Sequence, residues 1–477
     1  MESFDTNLKF NILSYLKEND KIRFILTSKN FLKEYWINFE SSKYFESYKK
    51  EGSNIIHQSC KLKLENLETI SGVYNYNGKI YPLTFYFSNL KFIKFHKYFN
   101  KPIENLPQSL SKIVFDEQSV FNFPVENLPK NLKSLTFGFN FDLPIYNLPK
   151  GLTYLSFGTR FNQNVNYLPG SLKHLIFSCG SLFDQPVNYL SANLISLSFG
   201  NAFNQSIFWL PGFIKNIKFG AGFNLSIDSL PNRIEEIIFD RQSSFNQPIK
   251  RFPKSLKSIV FGNSFNQPIS WLSESIEIII FGNSFDKPVT LLPPTLKFLF
   301  LGNSFNQPVT LLPEYLEVLI FGSSFDHPVN FLPKSLKYIQ FGKLFNHIID
   351  NLPTNLTSII FEGFQQLNLN SQNLFNQPIN VLPQSLEFIN FGDAFNQPIE
   401  ENILPSNLKC IIFGHSFNHI LKKGILPESL NMISFSVFYN HYLEEGVLPK
   451  SLKESKLPLN ELVKKYNKQL KNLYKLN

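Results

Sequence analysis

The chain has 477 residues, 43% of them hydrophobic and only 17% charged, with 52 Phe against 2 Met and 3 Trp. It can fold, but it is too long for one compact core of ordinary size, which calls for an elongated architecture or several domains. The net charge of +9 sits at the ends, since residues 1–98 hold 15 Lys and Arg against 10 acids, residues 449–477 hold 8 against 2, and the rest hold 23 against 25, which excludes a nucleic-acid interface along the middle, where no basic stripe exists.

Cys60, Cys179 and Cys410 are odd in number and far apart. They form no disulfide framework, which fits a reducing compartment. The opening MESFDTNLKF lacks the basic-then-apolar layout of a signal peptide. No apolar run approaches the ~20 residues that span a bilayer. These readings predict a soluble intracellular protein, cytoplasmic in the simplest case, with no membrane association.

In chain order, residues 1–40 come first. Leu8, Ile12, Leu13, Tyr15 and Leu16 recur at helical spacing, and Glu18-Asn19-Asp20 read as a cap. Ile22, Ile25 and Leu26 follow, then Ser28, Phe31, Leu32 and Tyr35. The spacing predicts two or three short packed helices, too few residues for an independent core. The order Leu8, Ile12-Leu13, Tyr15-Leu16, Asp20, Ser28-Lys29, Phe31, Trp36 resembles an F-box over residues 3–40. That resemblance implies docking onto the Skp-type adaptor subunit of a cullin ubiquitin ligase through Leu8, Ile12, Leu13, Tyr15, Leu16, Ile22 and Leu26. In the rival reading the same helices only cap the fold. Residues 41–90 then read as a connector and N-terminal cap.

From residue 91 to 450 the chain repeats. Phe or Tyr followed by Asn or Asp recurs 17 times, from Phe99 to Tyr439, at steps of 20 or 22 residues and one of 30. FNQPI itself stands at 245–249, 265–269, 375–379 and 395–399. That period belongs to solenoids. Each unit carries L-x-x-[LI]-x-F-G, as in Leu256, Ile259, Phe261 and Gly262. Alternation along a strand turns Ile259 and Phe261 to one side, the Gly permits a sharp turn, and Phe265 and Ile269 return to the same interior. The prolines suit a short irregular return rather than a helix. The Asn or Asp and the recurring Gln (Gln247, Gln267, Gln307, Gln377, Gln397) read as stacked ladders that partner buried turn backbone.

The motif LPxSLKxIxFGxxFNQPI resembles the FNIP repeat, a divergent relative of leucine-rich repeats. The resemblance implies a mainly β solenoid of 20–22-residue units with one parallel sheet, and the lack of a helical segment per repeat predicts a coil flatter than a horseshoe. The sequence contains no P-loop, G-x-S-x-G, H-E-x-x-H or C-x-x-C, which predicts no enzyme and no cofactor, while the resemblance implies contacts with other proteins.

Three outward slots on the strands vary between units. One alternates in sign: Glu235, Lys257, Glu277, Lys297, Glu317, Lys337. With strands about 4.8 Å apart this predicts an attractive ladder, or no more than a solvated face. The other two slots hold Ile278 and Ile280, Phe298 and Phe300, Val318 and Ile320, then Tyr338. They predict an apolar patch on the sheet face, open to three readings: a partner surface, a surface covered by another part of the chain, or plain strand propensity. His327 and His347, and His419 and His441, stack on adjacent rungs without the further ligands a metal needs. Residues 365–374 read as an inserted loop. The tail 451–477 places Leu459, Leu462, Val463, Tyr466, Leu470, Leu473 and Tyr474 on one helical stripe and reads as a capping helix, with a basic membrane-surface helix as the other reading.

The resulting expectation is the substrate-recognition subunit of a Skp-cullin-F-box type ligase, monomeric outside the complex, whose solenoid holds an unknown protein substrate. The alternative is a scaffold with no ligase link.

Overall fold

The computed structural model describes residues 69–73, 90–103, 106–270, 272–361, 373–435 and 438–452. The helical segment 1–40, most of the connector, nearly all of the insertion and all but the first two residues of the tail lie outside the described residues.

Among the described residues there is no helix. Each turn of the coil contributes one strand of three or four residues, except that β1 has five (Thr69–Val73). These strands belong to two compact units. The first holds β1 (Thr69–Val73), β2 (Phe92–Phe95), β3 (Lys112–Phe115), β4 (Ser134–Thr136), β5 (Tyr154–Phe157), β6 (His174–Phe177), β7 (Ser196–Ser198) and β8 (Asn216–Phe219). The second holds β9 (Glu236–Phe239), β10 (Ser258–Val260), β11 (Ile278–Ile280), β12 (Phe298–Phe300), β13 (Val318–Ile320), β14 (Tyr338–Phe341), β15 (Ser358–Phe361), β16 (Phe388–Asn390), β17 (Cys410–Ile412) and β18 (Met432–Ser434). Within each unit every strand pairs in parallel with the next in sequence. Equivalent repeat positions face each other, as with Ile279 and Leu299, or Leu135 and Leu155. Each unit is a parallel β-coil, as the repeat predicts.

The interior is built as the repeat predicts. Ile259, Phe261, Phe265 and Ile269 are all buried. Two columns of Phe run side by side through the core: Phe261 stacks on Phe281 at 5.4 Å, Phe265 on Phe285 at 6.2 Å, and Phe261 meets Phe265 at 4.0 Å. The first unit repeats this with Phe137, Phe141, Phe157 and Phe161. Each buried side chain of this size contributes roughly 1.5–3 kcal/mol, and it does so only because a neighbouring rung covers it.

The glycine that follows most of the strands does a different job from the one its place in the motif implies. Positive φ is confined, in this column, to Gly302 and Gly392. At Gly322 and Gly342 the need is space: an added Cβ would overlap the carbonyl oxygen of the glycine one rung earlier. The return segment closes with a tight turn at each Leu-Pro, where Leu296, Leu316 and Leu336 donate their N–H to the carbonyls of Pro293, Pro313 and Pro333.

Three of the five 22-residue steps share a device. Ser119, Ser181 and Ser243 are fully buried, and their Oγ atoms accept the N–H groups of Phe121, Phe183 and Phe245 at 3.2 Å. At the 30-residue step Asn373 takes that place, donating to the Phe361 carbonyl at 2.5 Å and accepting from Ala394 N at 3.1 Å. The two extra residues before Phe121, Phe183 and Phe245 are thereby absorbed with the turn's backbone paired.

Candidate interaction surface

The strands turn one side chain in three inward, so two slots per rung face outward. In the first unit the leading outward slot holds Lys112 and Asn216, both exposed, and Ser134, Tyr154, His174 and Ser196, all half-buried. In the second unit the residues expected to form an apolar patch are brought together, but not as an exposed surface. Ile278, Ile280, Phe300 and Ile320 are half-buried, whereas Phe298, Val318 and Tyr338 retain 3%, 2% and 6% of their surface. The cluster also extends further than was read. Ile360, Phe388, Cys410, Ile412 and Met432 continue it as far as β18. Sequence reasoning stopped at Tyr338 because Gln340, Ser358 and Asn390 interrupt the apolar pattern. These polar residues are themselves buried, with Gln340 accepting from Tyr338 Oη at 3.1 Å and Asn390 accepting from Gly392 N at 3.0 Å. Burial raises the Tyr338 phenol and pushes the Cys410 thiol up to about 12, so both stay neutral.

Beside this face runs the charged ladder, as its alternation predicts. Lys257, Lys297 and Lys337 each reach the Glu one rung earlier, Glu235, Glu277 and Glu317, at 2.9 Å. Lys409 and Glu387 add a fourth pair at 2.7 Å. The hydrogen bond that Lys297 donates to Glu277, then the Glu277 charge, raises Lys297, and Glu235 does the same for Lys257. An open groove of about 660 Å³ follows the ladder, lined by Thr295, Tyr315, Ser335 and Asn355 along its other side. Ser335 and Thr295 also tie rungs together by donating to the carbonyls of Leu316 and Ile276.

The Asn column is scaffold. The Oδ1 of one rung accepts the backbone N–H of the Asn or Asp on the next, as from Asp286 to Asn266, Asn306 to Asp286 and Asp326 to Asn306, each at 3.0 Å. Gln163, Gln267, Gln307 and Gln397 donate their Nε2 to the same oxygens. The stacked histidines occupy this Gln slot. His327, His419 and His441 place Nε2 at 3.0, 3.1 and 2.9 Å from a carbonyl oxygen one rung earlier, and His347 Nε2 lies 2.9 Å from Asp326 Oδ1. Among the described residues no group of three or more His, Cys, Asp or Glu is placed to hold a metal ion.

Two exposed apolar columns were missed. In the second unit Leu291, Leu311 and Phe331 stand 71%, 70% and 74% exposed on successive rungs. In the first, Tyr167, Tyr189 and Trp209 occupy the equivalent slot, with Tyr146 and Phe208 beside them. The available signal was the second position after each Val or Ile of the repeat, which falls outside the strand and so escapes a period-2 reading. The expected adaptor-binding residues, Leu8 to Leu26, lie outside the described residues.

The FNIP Repeat family model matches residues 143–180, 203–241, 245–271, 269–304, 305–344, 375–416 and 417–458. A search of curated proteins finds no match. Among solved structures, CroV588, described as a novel circular LRR protein structure, is 29% identical over 77% of this chain and 75% of its own, with a TM-score of 0.39. YopM from Yersinia enterocolitica is 17% identical over 87% of this chain and 98% of its own, with a TM-score of 0.48. The internalin InlF from Listeria monocytogenes is 14% identical over 64% and 89%, with a TM-score of 0.39.

Proposed function

This chain belongs to the FNIP repeat family, and on that premise we propose that it is a protein–protein interaction adaptor without chemistry of its own. The observation that carries this reading is the outer sheet face of the second unit. An apolar cluster runs along it, bordered by a charge-neutral ladder and an open groove. A surface of that kind suits a folded or extended protein guest rather than a polyanion, because its charges cancel rung by rung. Ile278, Ile280, Phe300 and Ile320 are the reachable part of the patch, and Phe298, Val318 and Tyr338 its buried floor.

The finer reading rests on the N-terminal sequence. Leu8, Ile12, Leu13, Tyr15, Leu16, Ile22 and Leu26 would dock on a Skp-type adaptor subunit, and the solenoid would present its guest to a cullin ubiquitin ligase. The ligase would supply the catalysis, and this chain the proximity. Binding of the full chain to purified Skp-type adaptor tests it, alongside an Ile12→Asp/Leu16→Asp variant. Micromolar or tighter binding that the variant loses is the expected result. If the full chain does not bind and the variant melts at a lower temperature, the helices are a cap and the protein is a scaffold without a ligase.

A further inference from the structure

The slot that carries the charged ladder in the second unit is filled differently in the first. On β2 to β6 it reads Lys91, Ser111, Lys133, Thr153 and Lys173. The backbone stacks these residues directly, because each of the last four donates its N–H to the carbonyl of the residue one rung earlier, at 2.8 or 2.9 Å. In the second unit Lys257, Lys297 and Lys337 each meet a Glu one rung earlier. In the first unit the intervening residues are neutral. Ser111 and Thr153 turn their hydroxyls to the Lys91 and Lys133 carbonyls, each at 3.1 Å. Lys91, Lys133 and Lys173 are exposed, and among the described residues none of the three pairs with a carboxylate.

The other two outward slots agree. From β2 to β6 none of the three holds Asp or Glu. Lys112 adds a further exposed charge, and Lys94 is held by Asp116 at 3.3 Å. The near-neutral charge of the chain's middle conceals this face. Residues 90–225 hold 12 Lys and Arg against 6 acids, whereas residues 226–448 hold 14 against 19. The middle of the chain does carry a basic stripe, contrary to its averaged charge, and the stripe lies in the first unit.

We propose that this face of the first unit docks an extended acidic peptide that carries a carboxylate at every third residue. Lysines two rungs apart are about 9.6 Å apart. A polyproline II chain advances about 9.3 Å per turn of three residues, so every third side chain meets the column in step. Four rungs separate Lys91 from Lys173, about 19 Å, and two turns of the peptide cover about 19 Å as well. Between Lys133 and Lys173 the neighbouring slot presents the rings of Tyr154 and His174, 6.2 Å apart. Such rings are surfaces on which the intervening residues pack, proline above all. The Ser134 and Ser156 hydroxyls, half-buried beside them, can donate to peptide carbonyls. A nucleic acid fits less well, because one strand brings a phosphate about every 3.4 Å, roughly three for each lysine. The inference needs neither the ligase nor the apolar face, which belongs to the other unit.

The probe is a fluorescein-labelled peptide of repeated Glu-Pro-Pro triplets, followed by anisotropy against the full chain. It should bind saturably at physiological salt and be released as salt is raised. Lys91→Gln/Lys133→Gln/Lys173→Gln should weaken binding at least about tenfold, with the strand signal in circular dichroism unchanged. Lys257→Gln/Lys297→Gln/Lys337→Gln removes the same charge from the equivalent slot of the second unit and should leave the affinity unchanged. Absence of saturable binding, or equal loss through both triple variants, would overturn the proposal. Equal affinity for a peptide of the same composition with its glutamates in one block would also overturn it, since the match of period would then be idle. So would single-stranded DNA that binds more tightly than the peptide and depends on the same three lysines, which would give the face to nucleic acid. Self-association that the first triple variant abolishes would give it instead to a second copy of the chain.

Discussion

Two stretches of one repeat close their insides alike and finish their outsides differently. In the first unit the outward slots carry Lys112, Ser134, His174, Ser196 and Asn216, and water reaches them. In the second, β9 to β11 keep half-buried slots, but from β12 to β17 the slots include Phe298, Val318, Ile360, Phe388 and Ile412, and water does not reach these. The inner slots hold the same Leu, Ile and Phe in both. The repeat therefore constrains about half of each strand, and the remaining slots are where the units acquire separate roles.

The largest effects should show no difference between the units. Phe161→Ala and Phe285→Ala each remove a fully buried ring from the same column and should each cost about 3–5 kcal/mol in denaturant unfolding. Unequal losses would mean that the inner cores are not equivalent. The outer face should separate them. Ile360→Ala should cost about 2–4 kcal/mol, whereas Ser198→Ala, its counterpart slot in the first unit, should stay within about 0.5 kcal/mol. A small loss at Ile360 would mean that the buried outer slots contribute little.

Smaller still is the ladder. Lys297→Ala should cost less than about 1 kcal/mol, and the loss should fade as salt is raised. The smallest effect is in pH, and here the units should move in opposite directions. Burial raises Tyr338 and carries Cys410 from an ordinary 9.0 to about 12, and the Glu277 hydrogen bond raises Lys297. Their contribution is complete below the unfolded values and is lost as pH rises from 9 toward 12, all of it in the second unit. In the first unit burial lowers His96 from 6.5, a pull that Asp116 only partly opposes. Its contribution is present above 6.5 and is lost as pH falls through the folded value. Single-tryptophan variants retaining Trp209 or Trp271 should report the acid loss and the alkaline loss separately; coincident transitions would erase the distinction.

Much of this was legible in the sequence. The period, the strand, the Phe core and the Asn ladder follow from residues that recur at every rung, so each position is stated up to 17 times. The sign-alternating ladder was equally plain, because Glu and Lys in one slot leave little to interpret. The full patch was not, since a polar residue such as Ser358 or Asn390 reads as solvent-facing when it is in fact enclosed. Enclosure depends on the neighbours around each side chain, which no period within a rung encodes. The buried Ser119, Ser181 and Ser243 escaped for a related reason. They occur only at 22-residue steps, so the averaging that exposes the repeat hides them.

The alternating ladder also sets a grain size for the molecule. Excise residues 282–301, one complete rung, and the backbone pattern heals: the Asn306 amide would meet the Asn266 oxygen that Asp286 had used. The charges would not heal, because Glu317 would then stand directly above Glu277. Remove two rungs and both patterns close again, with Lys337 above Glu277. Between Lys257 and Lys337 the coil can lengthen or shorten smoothly only in steps of forty residues, so what reads as a twenty-residue repeat behaves, in this stretch, as a pair.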